Sequence, residues 1–282
     1  MKASEWSIDE PQTIDVDDVT YVKASIVDGR VDILVHDEPT TRVEISEVAG
    51  QPIEVTYQSG TLELKHQSSL GRGLGRLGIK GVLTGGFEEY AVVSIAVPEG
   101  TTASLHTVNG DGLVCGTPET SLDTVTGSVM ADNTSGHLNV NTVSGEVIVR
   151  HHTGTLAAKS VSGEVTASGF VESTRVNSVS GDTSLDLLGT PKDLVARTVS
   201  GDLTVRLSSE VGIDLAANSA SGTATVNDRK FSRRGKTTHT EPGTSDRTCT
   251  IRTNSVSGSV SVFHHSGTGH RHPGEEQYGG AV

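Results

Sequence analysis

Four stretches decide the fold: TVSGEVIV (142–149), SVSGEVTA (160–167), SVSGDTSL (178–185) and TVSGDLTV (198–205). Each belongs to a longer series of corner motifs whose glycines are Gly110, Gly127, Gly145, Gly163, Gly181, Gly201, Gly222 and Gly258. The steps between successive glycines are 17, 18, 18, 18, 20, 21 and 36 residues. The last step is either two periods or one period with a long insertion. Such near-constant spacing indicates a repeat architecture.

Aligned on the corner glycine, the motif alternates in polarity. Residues two and four positions after the glycine are mostly apolar, as in Val147 and Val149, and a polar residue usually separates them, which is typical of a half-buried strand. We expect the glycine to supply a positive φ at a turn, and the preceding Ser or Thr to bond the turn backbone. We also expect the valines two positions before the glycine to form one inward column, with Ser162 at an outer corner; these valines are Val143, Val161, Val179 and Val199.

We infer a second strand after each corner strand, because Gly136 and Gly154 mark a turn midway between successive corner glycines. Two strands per repeat predict an all-β fold, a flattened β-solenoid with coils of about 18 residues in which each strand pairs with the next copy. The expected organisation is solenoid repeats over 101–265 with an insert at 227–248, then a disordered tail over 266–282. Residues 1–100 read as further β-strands, either continuous with the solenoid or packed as a small sandwich that caps its end.

Composition narrows the class of protein. A formal net charge of −13 argues against nucleic-acid binding, since phosphate contacts need local positive charge. Cys115 and Cys249 have no metal-ligand spacing and suggest no disulfide framework. The N-terminal MKASEWSIDE is polar, and no run approaches the roughly 20 apolar residues of a membrane span. These features predict a cytoplasmic protein without cofactors or a membrane span.

The stretch VVSIAVPEGTTASLHTVNGDGLV (92–114), followed by the TVSGEV and SVSGD units, resembles a bacterial domain-of-unknown-function family. Its members carry β-strand repeats and are commonly labelled "putative adhesins". The resemblance covers roughly residues 20–265. It implies a β-solenoid without known catalytic residues, so it transfers no site residues to this chain.

Two columns are candidate sites. The residues directly after the corner glycine include Glu146, Glu164, Asp182 and Asp202, which would form a carboxylate ladder at about 4.8 Å spacing if the coils stack in register. Such a ladder is either solvated or binds Ca²⁺ through its oxygens, although the calcium-binding repeat G-G-x-G-x-D is absent. The residues three positions before the glycine are Thr or Ser; they suggest either hydroxyl bonding between coils or, less regularly, the flat hydroxyl plane of ice-binding solenoids.

Three segments interrupt the repeats. Residues 67–86 contain G-x-G-x-x-G at Gly73, Gly75 and Gly78 but lack the flanking strand and helix of a dinucleotide site, so we interpret them as a loop that covers a sheet edge, with membrane or partner binding as the alternative. The insert contains the basic residues Arg229, Lys230, Arg233, Arg234 and Lys236. We interpret it as a solvated loop, with binding to an acidic partner as the alternative. The tail contains His270 and His272. We interpret the tail as a disordered segment, with weak metal binding as the alternative.

No catalytic motif such as G-x-S-x-G or H-E-x-x-H occurs in the sequence, which predicts a protein that is not an enzyme. The leading hypothesis is a binding or scaffold surface for a macromolecular partner, most simply a protein, with the oligomeric state left open. The alternatives are self-assembly through unpaired strand edges and, with less support, a carbohydrate-active β-helix enzyme. The scarcity of aromatic residues in the repeats weighs against the enzyme.

Overall fold

The computed structural model describes residues 3–66, 89–231 and 235–265. Strands dominate these ranges, in which no helix is assigned. The N-terminal strands are β1 (Ser4–Ile8), β2 (Gln12–Val16), β3 (Tyr21–Ile26), β4 (Asp28–His36), β5 (Thr41–Ala49), β6 (Ile53–Gln58), β7 (Thr61–His66), β8 (Tyr90–Pro98), β9 (Thr102–Thr107) and β10 (Asp111–Cys115).

The repeats begin with β9 and β10 and also supply all the remaining strands. They are β11 (Pro118–Thr124), β12 (Val129–Asp132), β13 (Ser135–Thr142), β14 (Val147–Ser160), β15 (Val165–Ser178), β16 (Thr183–Leu187), β17 (Asp193–Thr198), β18 (Leu203–Leu207), β19 (Gly212–Ser219), β20 (Ala224–Val226), β21 (Arg229–Phe231), β22 (Gly235–Glu241), β23 (Thr248–Ser255) and β24 (Val260–His264). The long strands β14 and β15 each run through one coil edge and contribute to both faces of the molecule.

The protein is a β-solenoid, as the repeat predicts. Consecutive corner motifs stack in parallel register, so Val147 pairs with Val165 and Val165 pairs with Thr183. The first face contains β9, β11, β13, the second halves of β14 and β15, and β17; the second face contains β10, β12, the first halves of β14 and β15, β16 and β18. The apolar columns after the corner glycine are buried, including Val147, Val149 and Val165, and they fill the narrow core between the faces.

The order of coils departs from the order of the sequence at both ends. The coil β23/β24, which carries Gly258, lies between β17/β18 and β19/β20, although it follows both in the chain. The prediction that each copy pairs with the next is therefore wrong for the last copies, and the 36-residue step is one period with a long insertion. At the N-terminal end the coil β3/β4 lies between the coils β7/β8 and β9/β10, although it precedes both in the chain.

Antiparallel strands cover both ends. At the N-terminal end β1, β6 and β7 are antiparallel neighbours on the first face, while β2, β5 and β8 are antiparallel neighbours on the second. At the other end β22 pairs with β19 and β21 pairs with β20, so these two strands of the insert cap the coil β19/β20. The strands β1 to β8 thus belong to the same hydrogen-bonded sheet as the repeats.

Glycine occupies the repeat corners because a side chain would not fit there, and not because the backbone needs a positive φ. None of those in the repeat corners takes a positive φ, which contradicts the sequence-based expectation. A Cβ on Gly163 would instead lie 2.1 Å from the carbonyl oxygen of Gly145 in the neighbouring coil. The stacked corners are too close for any side chain at this position. Positive φ occurs at the opposite edge, for example at Gly136 (φ 72°).

Within the described ranges, no helix is long and apolar enough to cross a membrane.

Candidate functional site: the valine row and its flanks

The valines two positions before the corner glycine point outward, which contradicts the predicted inward column. Val143, Val161, Val179 and Val199 are 44–48% exposed, and Ser162 beside Val161 is exposed as well. We call the full set the valine row: Val108, Val125, Val143, Val161, Val179, Val199 and Val256. Among the described residues, these seven are all but two of the exposed large apolar side chains, the others being Tyr90 and Phe170.

Buried hydroxyl groups explain why the valines face outward. In five of the eight corners, the residue three positions before the glycine donates a hydrogen bond to the carbonyl of its own corner glycine, as Thr142 does to Gly145 at 2.8 Å and Ser178 to Gly181 at 2.6 Å. A buried hydroxyl needs such a partner. Because inward and outward positions alternate, an inward hydroxyl places the next residue, the valine, outside. The hydroxyl column is therefore internal and forms no exposed ice-binding plane.

A second set of hydroxyls fixes the corner from outside. The Ser or Thr directly before the corner glycine donates to the valine carbonyl of the neighbouring coil, as Ser144 does to Val125 (3.2 Å), Ser162 to Val143 (3.2 Å) and Ser180 to Val161 (3.1 Å). The sequence predicted that this hydroxyl bonds the backbone of the turn; it does bond a corner backbone, but that of the neighbouring coil. The valine row is thus held on a backbone that is hydrogen bonded from coil to coil.

The acidic ladder lies on the other side of this corner. Glu146, Glu164, Asp182 and Asp202 are exposed at the starts of second-face strands. The two aspartates have a structural role, because Asp182 accepts a hydrogen bond from the backbone N–H of Asp202 (2.8 Å) and Asp202 accepts one from that of Ser259 (2.7 Å). No group of three or more His, Cys, Asp or Glu side chains suited to a metal ion occurs in the described part of the chain. The solvated ladder stays the prediction, with Ca²⁺ binding as its alternative.

A shallow groove of about 360 Å³ runs along the first-face flank of the valine row. Its walls are Val125, Val143 and Val161 on one side and outward polar side chains on the other, among them Asp123 and Lys159. Burial acts to raise the pKa of Asp123, but hydrogen bonds from His106 and Asn141 outweigh it and hold this pKa below its usual value. The groove therefore joins an apolar row to a polar, charged wall.

One cluster beside the groove has the connectivity of an acyl-transfer triad. Ser104 Oγ lies 2.9 Å from His106 Nε2, and His106 Nδ1 lies 3.0 Å from Asp123 Oδ2. Sequence reasoning missed it, although the two-residue spacing on β9 and the 17-residue step to Asp123 were readable once the register was known. Ser104 is only 4% exposed, and β9 is paired on both sides, so its backbone N–H groups are engaged in the sheet and not directed toward an oxyanion. This cluster is better explained as side-chain pairing within β9 and between β9 and β11 of the neighbouring coil.

The remaining candidates are dispersed. Arg229, Lys230 and Lys236 are exposed on the cap formed by β21 and β22. Arg233, Arg234, the glycines Gly73, Gly75 and Gly78, and His270 and His272 with the whole 266–282 tail lie outside the described residues. Both cysteines are free thiols: Cys115 is partly exposed and Cys249 is buried.

Three solved bacterial structures match most of the length of this chain. A "putative cell adhesion protein" from Clostridium sporogenes is 13% identical, with a TM-score of 0.27, and the match covers 91% of this chain and 100% of that one. A "putative lipid binding protein" from Parabacteroides distasonis is 16% identical with a TM-score of 0.49, and a "putative adhesin" from Bacteroides fragilis is 14% identical with a TM-score of 0.43; each match covers 91% of this chain and 97% of the other.

The curated proteins contain no match to this chain. A family model does match: the model described as Toastrack DUF4097 covers residues 23–263, which include every repeat corner and most of the N-terminal strands. The sequence-based resemblance to a bacterial family of unknown function with strand repeats is thereby confirmed. The chain belongs to the Toastrack DUF4097 family.

Proposed function

We propose that this chain is a non-enzymatic binding or scaffold protein whose valine row docks a macromolecular partner. One observation carries the proposal: seven valines at successive coils are 37–53% exposed on a hydrogen-bonded edge. Monomeric proteins rarely expose contiguous apolar patches larger than a few hundred Å², and larger ones mark interaction sites. A rigid edge also loses little conformational entropy when it binds.

The flanks indicate the kind of partner. The acidic ladder along one side of the row repels the phosphates of a nucleic acid and attracts a surface with basic side chains. A protein with an apolar stripe beside basic residues satisfies both features. The proposal includes neither catalysis nor a cofactor. The cytoplasmic location stays a prediction from the sequence.

Affinity capture with matched variants tests the proposal. The intact chain is immobilised as wild type, as the triple variant Val143→Ser/Val161→Ser/Val179→Ser, and as Phe170→Ser, which removes an exposed apolar side chain from the opposite edge. We expect the same retained proteins for wild type and Phe170→Ser, and their loss from the triple variant. Identical retention by all three chains contradicts the proposal. Turnover of a glycan or ester by the purified protein would favour an enzyme instead.

A further inference from the structure

A strip of cations crosses the first face beside the valine row. Its members are exposed residues on neighbouring strands, and their side chains point away from the core: Lys159 (β14), Arg175 (β15), Arg197 (β17), Arg252 (β23) and Lys236 (β22). Among the described residues, none of these five pairs with a carboxylate, whereas Lys23, Arg42 and Lys192 do so elsewhere on the surface. We call the five residues the basic strip.

The register of the sheet sets the pattern of the strip. Lys159 and Arg197 each lie two residues before a member of the valine row, and Asn177 lies between them on β15. Arg175 and Arg252 occupy the adjacent column, two residues farther from the row. The cations therefore alternate between two columns. With about 4.8 Å between strands and about 6.7 Å between alternate residues, successive Cα atoms from Lys159 to Arg252 are about 8 Å apart.

Carboxylates border the strip on both sides. On the side away from the row are Asp193 and Asp214, which accept hydrogen bonds from the hydroxyls of Ser173 (2.9 Å) and Thr240 (3.3 Å). On the other side, beyond the valine row, lies the acidic ladder. The distance along β17 from Asp193 to Arg197 is only about 13 Å. A broad anionic surface placed here would lie against both sets of carboxylates, so the strip suits a single narrow anionic chain.

The side chains of the strip indicate the chemistry of that chain. Exposed charges farther apart than about 8 Å are largely screened at physiological salt, so the local cations outweigh the net charge of −13. An Arg guanidinium forms two parallel hydrogen bonds with a carboxylate. The amides of Asn177, Asn218 and Asn254 lie between cations and offer both donors and acceptors, which complements a peptide backbone. The strip and these amides include no aromatic side chain, on which single-stranded nucleic acids stack.

We infer that the basic strip binds an extended acidic peptide, a segment of a partner protein whose carboxylates pair with the cations while its backbone meets the asparagine amides. From Lys159 to Lys236 the strip spans five strand spacings, about 24 Å. At about 3.3 Å per residue, a peptide of about eight residues covers it. This site is additional to the valine row of the proposed function, because it lies on the first face and selects a partner of the opposite charge.

Fluorescence anisotropy with a synthetic peptide tests the inference. The probe is a labelled peptide of about eight residues that alternates Glu and Ser, so that its carboxylates lie on one side of the extended chain. The intact protein is titrated as wild type and as Arg175→Thr/Arg197→Thr/Arg252→Thr, in which threonine suits an exposed strand position. We expect this variant to bind the probe about tenfold more weakly, the effect of losing three modest ion pairs. Failure of wild type to bind the probe overturns the inference.

A matched variant removes the same charge from strands outside the first face. Arg150→Thr/Arg206→Thr/Arg229→Thr changes exposed residues of β14 (first half), β18 and β21. It should bind the probe like wild type, and equal weakening in the two variants contradicts binding at the strip. A single-stranded oligothymidine or an oligogalacturonate of equal charge serves as competitor. If either binds wild type more tightly than the peptide, the strip selects another polyanion and the inference is wrong.

The valine variants separate this site from the proposed function. Val143→Ser/Val161→Ser/Val179→Ser should bind the acidic probe like wild type, since the strip is unchanged in it. Weakening as large as that of the strip variant would mean that the peptide binds the valine row, which overturns the inference and leaves the proposed function in place. If the strip binds the probe while the valine variants retain every captured protein, the inference stands and the proposed function falls.

Discussion

At the scale of single residues, burial reverses sharply within one corner. Val161 is 47% exposed, whereas Val165, four positions later, is fully buried between the two faces. We expect Val165→Asp to lower the free energy of unfolding by about 3–5 kcal/mol, because it places a carboxylate in an apolar core. Val161→Asp should change it by about 1 kcal/mol or less. Thermal melts followed by far-UV circular dichroism measure both, and equal melting temperatures contradict this register.

A buried histidine makes stability depend on pH. His152 is fully buried; its Nε2 donates to the Thr155 carbonyl at 3.1 Å, so Nδ1 accepts from the Thr134 hydroxyl at 3.0 Å. Burial lowers the pKa of His152 below its ordinary 6.5, because the charged imidazolium is poorly solvated there. The unfolded chain therefore binds the proton more readily. The stability that this group contributes is fully present above about pH 6.5 and is lost as the pH falls below that value.

The variant His152→Gln tests this dependence, since Gln retains a donor and an acceptor but does not titrate. Between pH 7.5 and 5.5 we expect wild type to lose more stability than the variant, by at most about 1.4 kcal/mol per pH unit. His151→Gln is the matched control, because His151 is the exposed neighbour paired with Asp132. Denaturant titrations at each pH give the values. A wild-type slope equal to that of His152→Gln shows that His152 does not titrate on unfolding.

At the scale of elements, the strands after each corner were predictable and the corner itself was not. Alternation fixed Val147 and Val149 as inward residues, and the structure confirms it. Before the glycine, Thr142 and Val143 both suit a strand, and hydrophobicity favours burying the valine. The Thr142 hydroxyl is buried instead, because it satisfies the glycine carbonyl across a tight turn. The pattern of polarity does not contain that hydrogen bond, so the candidate site on the valine side was missed.

The cap strands carry charges that discourage pairing with another molecule. β21 and β22 are the outermost strands at one end, and they present Arg229, Lys230 and Lys236 to solvent. Charged residues on an edge strand oppose edge-to-edge association. We expect wild type to be monodisperse, and Arg229→Thr/Lys230→Thr/Lys236→Thr to associate at micromolar concentrations. Multi-angle light scattering measures this.

An equal charge change on interior strands is the control. Arg150→Thr/Lys159→Thr/Arg175→Thr alters exposed residues of coils that are paired on both sides. This variant should remain monodisperse. If both triple variants associate alike, net charge and not the open edge governs assembly.

At the scale of the whole molecule, the intercalated coils make the two ends depend on distant parts of the chain. The coil β23/β24 is paired on both sides, with β17/β18 and with β19/β20. The sequence could not reveal this order, because the Gly222 and Gly258 motifs have equivalent columns and either one fits beside Gly201. Removing the coil β23/β24 therefore breaks four parallel strand pairings. We expect this coil to open only with the cooperative unfolding of its neighbours.

Cys249 reports on that opening. It lies in β23 and is fully buried, and burial raises the pKa of its thiol to about 12. In the native protein, alkylation of Cys249 is therefore prevented both by the lack of solvent access and by the low fraction of thiolate. Cys115, at the end of β10, is partly exposed. In a Cys115→Ser background, we expect iodoacetamide to label Cys249 at pH 8 only as denaturant unfolds the protein, with a midpoint equal to that of the circular dichroism signal. The Cys249→Ser background should label at Cys115 without denaturant. Labelling of Cys249 well below the unfolding midpoint would show that β23/β24 separates by itself, and that pairing on both sides does not couple the coil to the rest of the solenoid.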